Sequence, residues 1–162
     1  MMLFSCVPVE LDFICEAPLV FENIIEVDAT PDDVFEVLTD VDSWPKWFSG
    51  MTDVKWLTDA PHGDRSQRQI SLMGLVKVDE TFLCWEPGKR FSFRFEKQNA
   101  LLAKAAIEDI QLEPLGDGRC RVNYSVYMEL PKPLSPLAII LKPVLGQIFK
   151  RGAKGLQKYL AK

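Results

Sequence analysis

The spacing of apolar and polar residues changes several times along the chain, and each change marks an element. From Val20 to Val27 the positions alternate, with Phe21, Asn23, Ile25 and Val27 on one side and Glu22, Ile24 and Glu26 on the other. That period of two predicts a strand. A sharp helix start follows: Thr30 as cap, Pro31 where a missing N–H costs nothing, and Asp33 closing an approximate capping box. Val34, Phe35, Val37 and Leu38 then form one side of a helix ending near Asp40. A second start at Asp42 or Ser43 predicts a short helical turn carrying Trp44, Pro45, Trp47 and Phe48.

The long middle reads as strands at about 52–58, 66–73, 75–86, 90–98, 103–113 and 119–130. Pro61-His62-Gly63-Asp64, Glu86-Pro87-Gly88-Lys89, Gln98-Asn99 and Gly116-Asp117-Gly118 punctuate them at hairpin intervals. Ser135-Pro136 opens a final helix running to about Ala161. At about 1.5 Å per residue it spans on the order of 39 Å, enough to cross a whole sheet. Residues 1–19 lack a clear period and carry Pro8 and Pro18, so they read as an extended arm or an added edge strand. The expected class is α+β: a seven-stranded antiparallel sheet curved around one long C-terminal helix, with two short helices after the first strand. The domain itself is 20–162, with 1–19 as an extension, and a cavity is expected between helix and sheet.

Length and composition fit this layout. A 162-residue chain with 48% apolar residues needs no disulfide or metal to hold its core. Net charge is −4, but it is unevenly spread: residues 1–131 hold 12 Lys/Arg and 23 Asp/Glu, whereas 132–162 hold 7 Lys/Arg and no acid. An acidic body argues against nucleic-acid binding, which needs a basic face. Cys6, Cys15, Cys84 and Cys120 have no metal-ligand spacing and read as reduced thiols of a cytoplasmic protein. No basic region precedes the short apolar start, so export is not expected. The longest apolar run, Leu137–Leu141, falls far short of a membrane span.

Strand alternation singles out the candidate chemistry. Val76, Val78, Phe82 and Cys84 share a face with Glu80; Ala106, Ile110 and Leu112 share one with Glu108. Tyr124 sides with Val122, Val126 and Met128, and Arg68 with Ile70 and Leu72. Three charged groups and a phenol thus point into apolar space unless strand ends or a bulge carry them to water. Inside, the charges must pair or shift their pKa, so Arg68 with Glu80 or Glu108 is either a structural ion pair or part of an acid/base cluster. His62, the one histidine, lies in a turn and reads as a loop residue, which removes histidine-based nucleophilic arrangements. No phosphate-binding, dinucleotide or metal motif is present, so no cofactor is expected.

On the final helix Leu137, Leu141, Val144, Leu145, Ile148, Phe149, Leu156 and Tyr159 recur at helical spacing opposite Lys142, Lys150, Lys154 and Lys158. Pro143 is expected to kink the helix. Gly146, Gly152 and Gly155 either leave room for a ligand or permit tight packing. The basic end either complements the helix dipole and the acidic body or meets an anionic membrane surface.

Ile25-Glu26-Val27-Asp28-Ala29-Thr30-Pro31-Asp32-Asp33-Val34-Phe35-Glu36-Val37-Leu38 with Asp42-Ser43-Trp44-Pro45-Lys46-Trp47 resembles the opening of the START-like or SRPBCC superfamily, in its polyketide cyclase/dehydrase and lipid-transport branch. Val78-Asp79-Glu80, Trp85-Glu86-Pro87-Gly88-Lys89-Arg90-Phe91 and Leu112-Glu113-Pro114-Leu115-Gly116-Asp117-Gly118 continue the likeness, which covers about residues 20–160. The resemblance implies a helix-grip fold and a deep cavity for lipids, polyketides or other apolar ligands, without implying one reaction. The leading expectation is a non-enzymatic or weakly enzymatic binder of an apolar molecule. Its expected cavity, of about 300–1,000 Å³, is lined by Phe82, Phe93, Tyr124, Val126, Leu141, Leu145, Ile148 and Phe149. The alternatives are an aromatase/cyclase-type enzyme using Glu80, Glu108, Arg68 and Tyr124, and a regulatory or co-chaperone-like interaction domain.

Overall fold

In the computed structural model, which describes residues 2–161, the chain forms an antiparallel sheet of eight strands with three α-helices. The strands are β1 (Phe4–Ser5), β2 (Leu19–Val27), β3 (Met51–Trp56), β4 (Gln67–Leu72), β5 (Val76–Glu86), β6 (Arg90–Gln98), β7 (Ala105–Gly116) and β8 (Arg119–Glu129). The helices are α1 (Pro31–Thr39), α2 (Trp44–Trp47) and α3 (Ala138–Leu160). Seven strands run in the order β2-β8-β7-β6-β5-β4-β3, and β1 pairs with β6 beside this path. None of the described helices is long and apolar enough to cross a membrane.

Local chemistry sets the boundaries. Asp33 N–H donates to the Thr30 hydroxyl and the Thr30 N–H to the Asp33 carboxylate, each at 3.2 Å, so the capping box read from the sequence is complete. Ser135-Pro136 opens a single 3-10 turn, Ser135–Leu137, and the α-helix proper begins at Ala138 with Pro143 inside it. The main core lies between one face of the sheet and the helices. Val34, Phe35 and Leu38 of α1, Trp44 and Trp47 of α2, and Phe149, Ala153 and Leu156 of α3 all enter it.

The first residues are more than an extended arm. Pairing of β6 with β7 runs from Arg90–Gln111 to Arg94–Ile107, and there the two strands part. β1 enters the gap, pairing Phe4 with Gln98 and Ser5 with Lys97, while Cys6 N–H donates to the Glu96 carbonyl at 2.9 Å. Val7 N–H then crosses to the Lys104 carbonyl at 2.8 Å, so the arm bridges both strands. A 3-10 turn, Leu11–Cys15, lays Phe13 on Leu83, Ala105 and Ile107, a second small core on the outer face of the sheet.

One parity differs from the alternation. In β5, Phe82 pairs with Phe93 but Cys84 with Ser92, which leaves Leu83 as an extra residue. This bulge puts Leu83 in the outer cluster and turns Trp85 inward against Phe35, Phe82 and Phe91. Cys84 therefore does not share the inner face with Val78, Glu80 and Phe82.

Candidate functional site

The inner face of the sheet encloses a cavity of about 320 Å³. Trp44 of α2 and Phe48, Ser49, Gly50 and Met51 after it form one wall. Ile70 and Leu72 of β4, Met73 of the following turn, Phe95 of β6 and Met128 of β8 line the sheet side. Leu102 of the β6–β7 loop and Leu145, Ile148 and Phe149 of α3 complete it. Glu80 and Glu108 are the ionisable residues on this wall.

Behind them lies a buried polar group assembled from four strands. Arg68 and Glu80 are direct cross-strand partners on β4 and β5, each 1% exposed, and Arg68 Nε donates to Glu80 Oε2 at 2.5 Å. Tyr124 of β8, also buried, donates its hydroxyl to Glu108 Oε2 of β7 at 2.5 Å. The Arg68 guanidinium lies over the Trp44 ring at 4.1 Å and the Phe93 ring at 4.5 Å from their centroids. Its Nη2 has no hydrogen-bond partner, so the aromatic faces serve that side of the cation. Trp44 is held by its indole N–H, which donates to the Leu38 carbonyl at 2.8 Å.

Burial pushes both carboxyl groups above their ordinary range. For Glu80 the opposing pull comes from the Arg68 charge and hydrogen bond. Glu108 rises from 4.5 to about 8, first by burial and then by the neighbouring Glu80 charge, against the pull of Tyr124 and Arg68. Because the one cation is paired to Glu80, the proton held near neutral pH belongs on Glu108. The cluster is then electrically neutral, and Glu108 presents a carboxylic acid at the cavity wall. Tyr124 is pushed well above 10 by burial and stays a phenol.

This has a measurable consequence for stability. Below about pH 4.5 Glu108 is protonated folded or unfolded; from there to about 8 only the folded chain keeps the proton. Unfolding then releases a proton, so the contribution is present at low pH and is lost as pH rises through about 8, at roughly 1.4 kcal/mol per pH unit. Glu108→Gln keeps the size and an acceptor for Tyr124 but cannot ionise. In denaturant titrations at several pH values, wild type is expected to lose stability relative to Glu108→Gln between pH 5 and 8, on the order of a few kcal/mol in all. A difference independent of pH would mean that Glu108 is ionised in the fold.

The residues singled out from sequence divide in two. Glu80, Glu108, Leu145, Ile148 and Phe149 line the cavity. Phe82, Phe93 and Val126 face inward but are fully buried in the core and do not line it. Phe82 packs on Trp56, Trp85, Phe91 and Phe93, and Phe93 on Trp44, which fills that end of the sheet with rings. Tyr124 and Arg68 stand behind the two carboxyl groups, and Leu141, near the start of α3, packs against the core outside the cavity wall. Gly152 and Gly155 are not cavity residues either. A Cβ on Gly152 would lie 2.7 Å from the Phe48 ring, and one on Gly155 2.0 Å from the Trp47 carbonyl oxygen, so they serve close packing of α3 on α2. Trp44, Phe95, Leu102 and Met128 are cavity residues that alternation alone did not separate from ordinary core.

Two other features are built differently. His62 stacks on Trp56 with ring centroids 3.8 Å apart, its Nε2 3.1 Å from the Thr58 carbonyl oxygen, which ties down the loop before β4. A more polar groove of about 290 Å³ runs between Glu22–Ile25 of β2 and Lys150, Ala153 and Lys154 of α3. Among the described residues, no three of His, Cys, Asp and Glu gather as ligands for a metal ion.

Comparison with known proteins agrees with this architecture. The family described as polyketide cyclase / dehydrase and lipid transport matches residues 19–161. An uncharacterized protein of Mycobacterium tuberculosis is 31% identical over 157 residues, covering 97% of this chain and 93% of its own. Among solved structures, a START superfamily protein from Mycobacterium smegmatis superposes with a TM-score of 0.74 at 14% identity, covering 87% of this chain and 96% of its own. The Zhui aromatase/cyclase of a Streptomyces species gives 0.73 at 13% identity, covering 87% and 92%. Matched over nearly its whole length from β2 to the end of α3, and with the START-like helix-grip fold, the chain belongs to the polyketide cyclase/dehydrase and lipid transport family.

Proposed function

We propose that the chain binds and carries an apolar small molecule in the cavity between sheet and α3. The observation that carries this reading is the wall itself: about 320 Å³ lined by apolar side chains, with two carboxyl groups as its ionisable pole. Burying ligand surface there contributes roughly 25 cal/mol per Å², and the polar pole fixes orientation. Because Arg68 is already paired with Glu80, and Glu108 holds a proton, the pole favours a neutral hydroxyl or carbonyl end over an anionic one. Cytoplasmic residence fits the free thiols: burial pushes Cys6 and Cys84 to about 11, well away from reactive thiolates.

The test is displacement of Nile red, an uncharged apolar fluorophore, by a long-chain alcohol and by the carboxylic acid of equal length. Probe binding is expected at neutral pH, with the alcohol displacing it at about tenfold lower concentration than the acid, a difference of about 1.4 kcal/mol. Leu145→Trp, which fills the cavity, is expected to weaken the probe by at least about tenfold. No probe binding, or binding unaffected by Leu145→Trp, would end the carrier reading.

A second reading, an aromatase/cyclase-type enzyme, is favoured by the same polar group. A protonated Glu108 beside a Tyr124 phenol is suited to giving a proton to a ligand carbonyl. The two readings separate on Glu108→Gln: a carrier retains ligand binding and has no turnover to lose, whereas an enzyme retains binding and loses turnover of a polyketone substrate.

A further inference from the structure

The outward side of α3 changes character along its length. Over its first turns, Ile139 (88% exposed), Ile140 and Val144 stand in solvent, whereas Phe149 is the first fully buried residue of the helix. Over its later turns, the same side carries Lys150, Arg151, Lys154 and Lys158, all exposed. Helical geometry places Ile140, Val144, Arg151 and Lys158 within a narrow sector of that face. None of the ion pairs among the described residues engages Lys142, Lys150, Arg151, Lys154 or Lys158. The acidic body therefore does not neutralise these cations by contact.

The apolar end of α3 is also the cavity end. Ile148 is exposed and lines the cavity, as does Met73 at the β4–β5 turn, which is 74% exposed. Next to Met73 stands Leu75, 77% exposed, and the Asn99 side chain donates to the Leu75 carbonyl at 2.9 Å, tying this turn to the loop that carries exposed Leu101. The cavity thus opens among large apolar side chains from three separate segments.

We propose that this apolar rim and the basic outer side of α3 together form a docking surface for an anionic lipid bilayer, with the rim inserted among the acyl chains and the cations over the headgroups. Two features on one helix select that partner. An apolar tip adjoining unpaired cations matches the depth profile of a membrane interface, and residues 132–162 contain no acid to be repelled by it. Seated this way, the cavity mouth faces the hydrocarbon, and an apolar cargo passes between them without crossing water. The purpose of the surface rests on the carrier reading; its geometry does not.

Vesicles of phosphatidylglycerol mixed equally with phosphatidylcholine are the probe, with pure phosphatidylcholine as control. Co-sedimentation is expected with the anionic vesicles at about 0.01 M salt and is expected to be lost by about 1 M, as the Debye length falls from about 30 Å to about 3 Å. Leu75→Ser, Ile139→Ser and Ile140→Ser together change exposed residues outside the cavity wall and are expected to weaken vesicle binding at least about tenfold, while Nile red affinity stays as in wild type. Replacing Lys150, Arg151, Lys154 and Lys158 by Gln is expected to abolish the salt dependence. Vesicle binding that either set leaves unchanged overturns the proposal. So does an absence of binding together with self-association that the serine variant removes, because the rim would then be a contact between copies of the chain. Loss of Nile red binding in wild type would instead strike the carrier reading and leave the docking result to stand by itself.

Discussion

Replacing Arg68 by methionine is expected to cost about 3–5 kcal/mol of folding stability at pH 8, the range found when one partner of a buried ion pair is removed. The residue is 1% exposed and holds Glu80 at 2.5 Å. Methionine fills much of the space but leaves Glu80 beside Glu108, two buried carboxyl groups with no cation. Protonation is their one escape, so the cost at pH 5 is expected to be clearly smaller than at pH 8. A second substitution, Glu80→Leu on the Arg68→Met background, is expected to restore much of the loss, because an apolar pair replaces a buried charge. Urea titrations at the two pH values are the measurement. A loss below about 1 kcal/mol at pH 8 would show that the pair contributes little beyond its neighbours' packing.

Gly155→Ala is expected to destabilise by about 2–3 kcal/mol, although intrinsic helix propensity favours alanine by about 1 kcal/mol. The methyl group would meet the Trp47 carbonyl oxygen at 2.0 Å, a backbone atom that moves only if the whole α2 turn moves. Trp44, on the same turn, would carry the disturbance to Arg68 and the cavity wall. Gly146→Ala is the matched control: its nearest neighbour would be the Phe21 ring at 3.5 Å, an ordinary contact, so propensity decides and the variant is expected to gain up to about 1 kcal/mol. At roughly 2–4 °C per kcal/mol for a chain of this size, thermal unfolding separates the two. Equal melting temperatures would show that α3 is free to stand off from α2.

Gly155 and its neighbour Gly152 show where the sequence stops informing. The helix pattern places Gly152 and Gly155 on a helix, but only the docking of α3 on Phe48 and Trp47 distinguishes close packing from cavity space. Elements governed by local chemistry were readable: the Thr30–Asp33 box and the Glu86–Lys89 turn between β5 and β6. Alternation set Arg68, Glu80, Glu108 and Tyr124 on apolar faces but left open whether they met water, and the structure buries all four. Alternation reports which face a side chain takes, not how far along the strand the floor of a cavity lies. For that reason Phe93 and Phe95, two residues apart on one face, end differently: Phe93 is packed under Trp44, whereas Phe95 lines the cavity. The bulge at Leu83 carries no glycine or proline signal, so the reversal of Cys84 could not be seen in advance.

The arm that precedes the family-matched segment has a practical consequence. β1 sits where β6 and β7 part, and Phe95 of β6 and Leu102 of the β6–β7 loop, which flank that parting, both line the cavity. Residues 4–7 sit in the seam of the sheet, and Cys6 is buried there as part of the main core. Trimming the chain to residues 19–161, the segment that the family matches, would therefore remove a strand of the sheet beside the cavity. An affinity tag or fusion partner joined ahead of Phe4 would likewise pull on a strand of the sheet, so the carboxyl end, beyond the last turn of α3, is the better place for a handle.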